Sequence, residues 1–214
     1  SCALLATSAE RLDMAFSTRR AALVTGAASG IGQAIATRLE KDGIDVLAVD
    51  IDATSPRGRT AVSVPFAADL TTREGNQDAV TTALEQFGRL DIIVASAGFQ
   101  HVSPIEEFPE ERWDALLALL LTSPFLLAKY GWPSLRAAPG GGRFLVIASA
   151  HALVASPFKS GYVAAKHGVL GLVRTLALEG ADHGICATAL CPSYVRTPLV
   201  ERQIEAQALA HGLP

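Results

Sequence analysis

The sequence predicts an α/β fold, a doubly wound parallel sheet in a three-layer α/β/α arrangement, on two observations. Short runs of Val, Ile, Leu and Ala alternate with longer segments whose apolar residues recur at helical spacing. The strand-like runs are almost continuously apolar rather than alternating, as parallel strands covered on both faces require. In chain order the elements are a strand at Ala21–Thr25, a helix at Gly30–Asp42, strands at Asp45–Asp50 and Ala61–Phe66, a helix at Arg73–Phe87 and a strand at Asp91–Ala95. A long helix then spans Glu110 to about Leu135, followed by a strand at Arg143–Ser149, a helix at Ser160–Glu179, a strand at Ile185–Cys191 and a polar helix near the end. Loops are marked at Thr54–Arg59, at Pro139-Gly140-Gly141-Gly142, and around Pro192 and Pro198. Right-handed crossovers place ligand sites beyond the carboxyl ends of such strands.

Composition narrows the function. The 214 residues are 50% hydrophobic and 18% charged, enough for one sizeable core. Residues 20–214 are read as a single domain and residues 1–19 as a disordered extension, with Met14 as the natural start. A net charge of -3 and a pI near 5.9 argue against nucleic acid and anionic membrane, leaving a small molecule as the expected partner. Cys2, Cys186 and Cys191 have neither metal-ligand nor Cys-x-x-Cys spacing and read as reduced thiols of a cytoplasmic protein. The longest unbroken apolar run, Ala115–Leu121, is too short for a membrane span, so the mean hydropathy of +0.30 is assigned to core.

Thr25-Gly26-Ala27-Ala28-Ser29-Gly30-Ile31-Gly32 joins the first strand to the first helix. Small residues there let backbone amides approach a pyrophosphate, and the helix N-terminus favours its charge. Glycines at such turns also serve packing alone. Asp50 ends the second strand eighteen residues after Gly32, where a carboxylate accepts from an adenosine ribose and repels a 2′-phosphate, so a Rossmann-like domain using NAD is expected. The competing reading makes Asp50 and Asp52 the start of a turn. Asp69-Leu70 follows the third strand, where the aspartate meets adenine or caps the next helix.

Tyr162 and Lys166 stand four residues apart and share one helix face; Ser149 lies thirteen residues before Tyr162 at a strand end. Hydride chemistry at an alcohol without a metal needs a group that exchanges a proton with the oxygen. A tyrosine whose pKa an ammonium lowers serves, with a serine hydroxyl polarising the same oxygen. Lys159 and Lys166, two of only four lysines in the chain, flank Tyr162.

The Gly-x-x-x-Gly-x-Gly spacing of the turn, with Ala97-Gly98 after the fourth strand, resembles the short-chain dehydrogenase/reductase family. Ile147–Pro157 through Lys159 and Tyr162–Gly168, together with Gly98–Val102 and Val195–Ile204, resembles its NAD-dependent 3-hydroxybutyrate dehydrogenases, over about residues 20 to 214. The resemblance implies that Gln100, His151, Lys159 and Gln203 surround a substrate carboxylate, with Ser149 and Tyr162 at the reacting oxygen. Charge-assisted hydrogen bonds from Lys159 and amide donors would then fix the acid for hydride transfer. It also implies that Pro192, Val195 and Thr197 hold the nicotinamide side, that Gln203 rides on a segment closing over the substrate, and that the protein is a homo-oligomer, dimer or tetramer. His151 reads equally as a structural hydrogen-bonder, His101 as a loop residue and Gln203 as an exposed helix residue.

Four departures from the family pattern stand out. Leu120 replaces an asparagine that extends the proton path from the lysine, Ala95-Ser96 replace asparagines that brace the sheet, and Ser193 replaces a glycine. The usual last strand and helix are missing, which leaves Ile185–Cys191 as an expected edge. Three functions remain open: an active dehydrogenase of 3-hydroxybutyrate and acetoacetate, a reductase of another small alcohol or ketone, and a catalytically weakened NAD-binding homologue.

Overall fold

The structure, a computed structural model, describes residues 19–52 and 63–210. The expectations for residues 1–18, for the loop Thr54–Arg59 and for the start of the third strand at Ala61 lie outside the described residues, as does the side chain of Gln203.

Among the described residues six strands, β1 (Ala21–Thr25), β2 (Asp45–Asp50), β3 (Ser63–Ala67), β4 (Ile92–Ala95), β5 (Arg143–Ile147) and β6 (Cys186–Leu190), form one parallel sheet in the order β3-β2-β1-β4-β5-β6. Leu23 on β1 pairs in register with Leu47 and Ile93 on either side. The helices are α1 (Gly30–Lys41), α2 (Arg73–Phe87), α3 (Glu110–Leu117), α4 (Ser123–Ala137), α5 (Ser160–Gly180) and α6 (Pro198–Ala210). Alternation along β1 builds both halves of the core: Ala21 and Leu23 join Val80 of α2, Leu127 of α4 and Val169 of α5, whereas Ala22 and Val24 meet Ala36 of α1. This is the doubly wound arrangement, with ligand space where the strand order reverses between β1 and β4.

Several boundaries fall inside the expected ones, and capping explains two of them. Asp91 does not open β4; its carboxylate accepts the Ala21 N–H at 2.8 Å and pairs with Arg89 at 2.6 Å. Ser149 does not close β5; it caps a 3-10 turn, Ala150–Ala152, by accepting the His151 N–H. At the other end, β6 is the sheet edge, with Cys186, Thr188 and Leu190 exposed.

The expected long helix is interrupted. Between α3 and α4, Ala118–Thr122 winds as a π turn, in which Ser123 N–H donates to the Ala118 carbonyl five residues back. The cause lies at Pro124: it has no N–H for the Leu120 carbonyl that a regular α turn would present to it. Glu110–Ala137 as a whole is long and apolar enough to cross a membrane by length and composition alone, a property that a search for unbroken apolar runs misses. Here part of its apolar surface is packed inside the fold: Leu116 and Leu120 against Ala165 of α5, and Leu127, Ala128 and Leu135 in the main core.

Candidate active site

A cavity of about 460 Å³ opens at the carboxyl ends of β1, β4 and β5. Every position expected to hold the dinucleotide lines it: Gly26, Ser29, Gly30, Ile31 and Gly32 at the first turn; Asp50, Asp69 and Leu70 beyond β2 and β3; Ala97 and Gly98 beyond β4; Tyr162 and Lys166 on α5; Pro192, Val195 and Thr197 after β6. Ser149 and Leu120 line it too.

The turn needs its glycines. Gly26 and Gly30 have φ of +65° and +56°, and a Cβ on Gly26 would come within 2.8 Å of the Ala97 Cα. A Cβ on Gly32 would overlap the Gly26 carbonyl oxygen. Packing and ligand access are served together: the same absence of side chains that lets the turn fold on itself leaves its backbone open to the cavity. The segment after β6 reaches over this turn, since a Cβ on Gly30 would stand 3.4 Å from the Thr197 methyl. Thr197 also turns the chain into α6, accepting the Val200 N–H at 3.4 Å.

Asp50 is held at the rim by two amides, accepting Ala28 N–H at 3.0 Å and Ile51 N–H at 2.8 Å. It therefore ties β2 to the glycine turn, beyond simply starting a bend. Asp69 does not cap α2; Thr72 does, accepting the Gly75 N–H at 3.0 Å. The Asp69 carboxylate instead accepts from the hydroxyl and amide of Thr71, which hold its pKa below the usual value. Thr25, which sequence reading passed over, braces the sheet where the family asparagines are missing: its hydroxyl accepts the Ser96 and Ala97 N–H groups at 2.9 and 3.0 Å.

Ser149, Tyr162 and Lys166 converge. The Ser149 hydroxyl acts on the Tyr162 phenol, favouring its ionised form, and the Lys166 Nζ lies 5.5 Å from the Tyr162 ring centre. Lys166 is buried and donates to the Ile147 carbonyl at 2.7 Å; burial brings its pKa down to about 8. One electrostatic expectation is corrected here. Burial raises the Tyr162 pKa, opposed by the Ser149 hydroxyl, so in this state the ammonium does not bring the phenol below its ordinary value. Leu120 is buried and packs with Tyr162 and Ala165, so an apolar wall stands where the family has an amide. Ser193 carries no strain: among the described residues, Phe158 is the only non-glycine with positive φ, at +65°.

Phe158 immediately precedes Lys159, and its carbonyl accepts the Ser103 N–H at 2.9 Å, which ties this loop to the one after β4. Lys159 is buried, its pKa lowered by desolvation, with its Nζ 6.0 Å from the Tyr194 ring centre. Among the described residues no carboxylate forms an ion pair with it. Its charge is felt at His151, whose pKa is lowered by burial first and by Lys159 next. The His151 ring stands edge-on to Tyr162 at 5.9 Å, Nδ1 lies 3.4 Å from the Ser149 hydroxyl, and Nε2 lies 2.8 Å from the Ser156 hydroxyl. Gln100 has a buried amide oxygen with no hydrogen-bond partner. Gln100, His151 and Lys159 do not line the large cavity; His151 meets its wall through Ser149 and Tyr162. His101 packs edge-on against Phe108 at 5.2 Å, as a loop residue would.

Fold and family together define an oxidoreductase, and the chain belongs to the short-chain dehydrogenase family, whose model, described as short chain dehydrogenase, matches residues 20–208. It is an oxidoreductase of small molecules. It is 42% identical over 202 residues to a D-beta-hydroxybutyrate dehydrogenase of Cupriavidus necator, covering 91% of this chain and 78% of the relative. A D-threitol dehydrogenase of Mycolicibacterium smegmatis is 36% identical over 90% of this chain and 78% of its own length. Among solved structures, levodione reductase superposes with a TM-score of 0.80 at 30% identity, over 88% of this chain and 76% of that one.

Proposed function

We propose that the protein is an NAD-dependent dehydrogenase that interconverts 3-hydroxybutyrate and acetoacetate, with residues 20–214 acting as one cytoplasmic catalytic unit in a homo-oligomer. The observation that carries the substrate is Lys159: a buried ammonium without an anionic partner among the described residues, its charge felt at the His151 that touches Ser149 and Tyr162, calls for a small anion. The dinucleotide fits the glycine turn, where a Cβ at Gly32 would close the cradle, and the Asp50 carboxylate disfavours a 2′-phosphate.

In this reading the bound dinucleotide supplies the hydride acceptor. Lys159 binds the substrate carboxylate, with Gln100 and Gln203 as further donors and His151 bordering it. Ser149 donates to the C3 oxygen and Tyr162 takes its proton. Lys166, at 5.5 Å from the ring, favours the phenolate while it is charged. NADH formation from either enantiomer of 3-hydroxybutyrate tests the proposal. Turnover abolished by Tyr162→Phe supports it, and a protein that binds NAD yet turns over neither this acid nor its close analogues overturns it.

A second reading, oxidation of a small neutral alcohol, draws support from the Gln100 amide oxygen, a buried acceptor that a substrate hydroxyl would satisfy. Lys159→Met separates the two, raising KM steeply for the acid and leaving it nearly unchanged for a neutral alcohol. A third reading, a weakened NAD-binding homologue, draws on Leu120; an unchanged rate in Leu120→Asn supports that reading.

A further inference from the structure

We propose that Ser149, His151 and Ser156 form a proton wire connecting Tyr162 to solvent, replacing a path through the lysine. The inference rests on the reading of Tyr162 as the acid/base group.

The wire starts at Ser149, whose hydroxyl acts on the Tyr162 phenol, and has one direction. The backbone N–H of His151 donates to the Ser149 hydroxyl oxygen at 3.1 Å, which leaves the hydroxyl proton free for His151 Nδ1 at 3.4 Å. That link is long, as catalytic hydrogen bonds are before substrate tightens a site. With Nδ1 accepting, the imidazole proton sits on Nε2 and is donated to the Ser156 hydroxyl at 2.8 Å. Ser156 is half-buried in a loop whose neighbours Ala155 and Pro157 are exposed. The charged and titratable groups that act on the ring are Lys159, His167 and the Tyr162 it touches; burial first and the Lys159 charge next favour the neutral imidazole, free to accept a proton.

The residues beside the lysine offer no relay by comparison. Lys166 donates to the Ile147 carbonyl, which has no proton to pass on, and Leu120 fills the adjoining wall at 2% exposure. The other titratable group acting on Lys166 is Cys191. During alcohol oxidation the substrate proton goes to the Tyr162 oxygen. Once the ketone has left and the Ser149 hydroxyl no longer donates to its oxygen, the Tyr162 proton passes to Ser149 as Ser149 gives its own to Nδ1, which restores the phenolate. Nε2 then releases its proton to Ser156, and Ser156 gives one to water. Each hydroxyl ends as it began; the imidazole changes tautomer and re-equilibrates between turnovers, and reduction runs the chain in reverse.

Two measurements test the wire. Long-range proton–nitrogen NMR of the protein without substrate reads the His151 tautomer near neutral pH. The Nε2–H form, changed by Ser156→Ala, is expected; an imidazolium or an Nδ1–H form overturns the proposal, whether or not 3-hydroxybutyrate proves to be the substrate. In steady-state turnover of whichever alcohol the wild-type protein oxidises, Ser156→Ala is expected to lower kcat up to about a hundredfold with KM unchanged. Ser156→Thr and added imidazole buffer should each restore the rate. Wild-type kcat and pH profile in Ser156→Ala overturn the wire. A wild-type protein inert toward 3-hydroxybutyrate sinks the substrate assignment and leaves the tautomer to decide the wire.

Discussion

Lys166 Nζ and the Ile147 carbonyl oxygen meet at 2.7 Å inside the protein, joining the face of α5 to the end of β5. This bond anchors the ammonium beneath the Tyr162 ring and has a consequence for stability. Burial lowers the Lys166 pKa to about 8, from 10.5 in the unfolded chain. Below pH 8 the lysine is protonated in both states. Between pH 8 and 10.5 the unfolded chain holds a proton that the folded chain has released, so this group adds stability as pH rises through that window. Urea unfolding at pH 8 and pH 10 is expected to show wild type gaining on Lys166→Met by roughly 2 to 3 kcal/mol. Equal slopes for the two proteins would refute the shift.

Gly32 and Gly171 should respond oppositely to alanine. A Cβ at Gly32 overlaps the Gly26 carbonyl, so Gly32→Ala is expected to cost about 1–3 kcal/mol and to weaken dinucleotide binding. A Cβ at Gly171, inside α5, meets nothing within 4 Å, so Gly171→Ala should stabilise by about 0.5–1 kcal/mol. Thermal melts and NADH fluorescence titrations of both variants provide the check.

Thr25→Val keeps the shape of the side chain and removes the oxygen that accepts from Ser96 and Ala97. With two amides left without that partner, a loss of about 1–3 kcal/mol in urea unfolding is expected, whereas Thr25→Ser should retain most of the stability.

Asp50→Ala removes the carboxylate at the end of β2 and with it the repulsion of a 2′-phosphate. The ratio of kcat/KM for NAD over NADP is expected to fall by at least about tenfold, a change of roughly 1.4 kcal/mol in discrimination. An unchanged ratio would mean that Asp50 serves only the turn.

The sheet was legible because continuous apolar runs such as Leu23-Val24 and Ile92-Ile93-Val94 admit few other placements, and the glycine turn because its spacing is tied to backbone geometry. Groups with long-range partners were hidden. The Thr25 hydroxyl meets amides 71 and 72 residues away, which no local pattern signals. Phe158 adopts positive φ without the residue type that usually marks it. Ser156 lies in the stretch quoted for the resemblance, yet its bond to His151 depends on the 3-10 turn that Ser149 begins. Ionisation was the least legible: a helical spacing places Tyr162 near Lys166, but only burial tells which way each group shifts.

The π turn at Ala118–Thr122 inserts one residue into an otherwise regular rod, which rotates everything downstream by about 100°. Leu120 thereby addresses the reaction chamber, with Leu116 packed in the same cluster, while Leu127 and Leu135 address the middle of the molecule. A single-codon deletion in this stretch would leave a helix of good composition whose two greasy stripes had fallen out of phase. The genetic fragility of the protein is therefore expected to concentrate at these five residues.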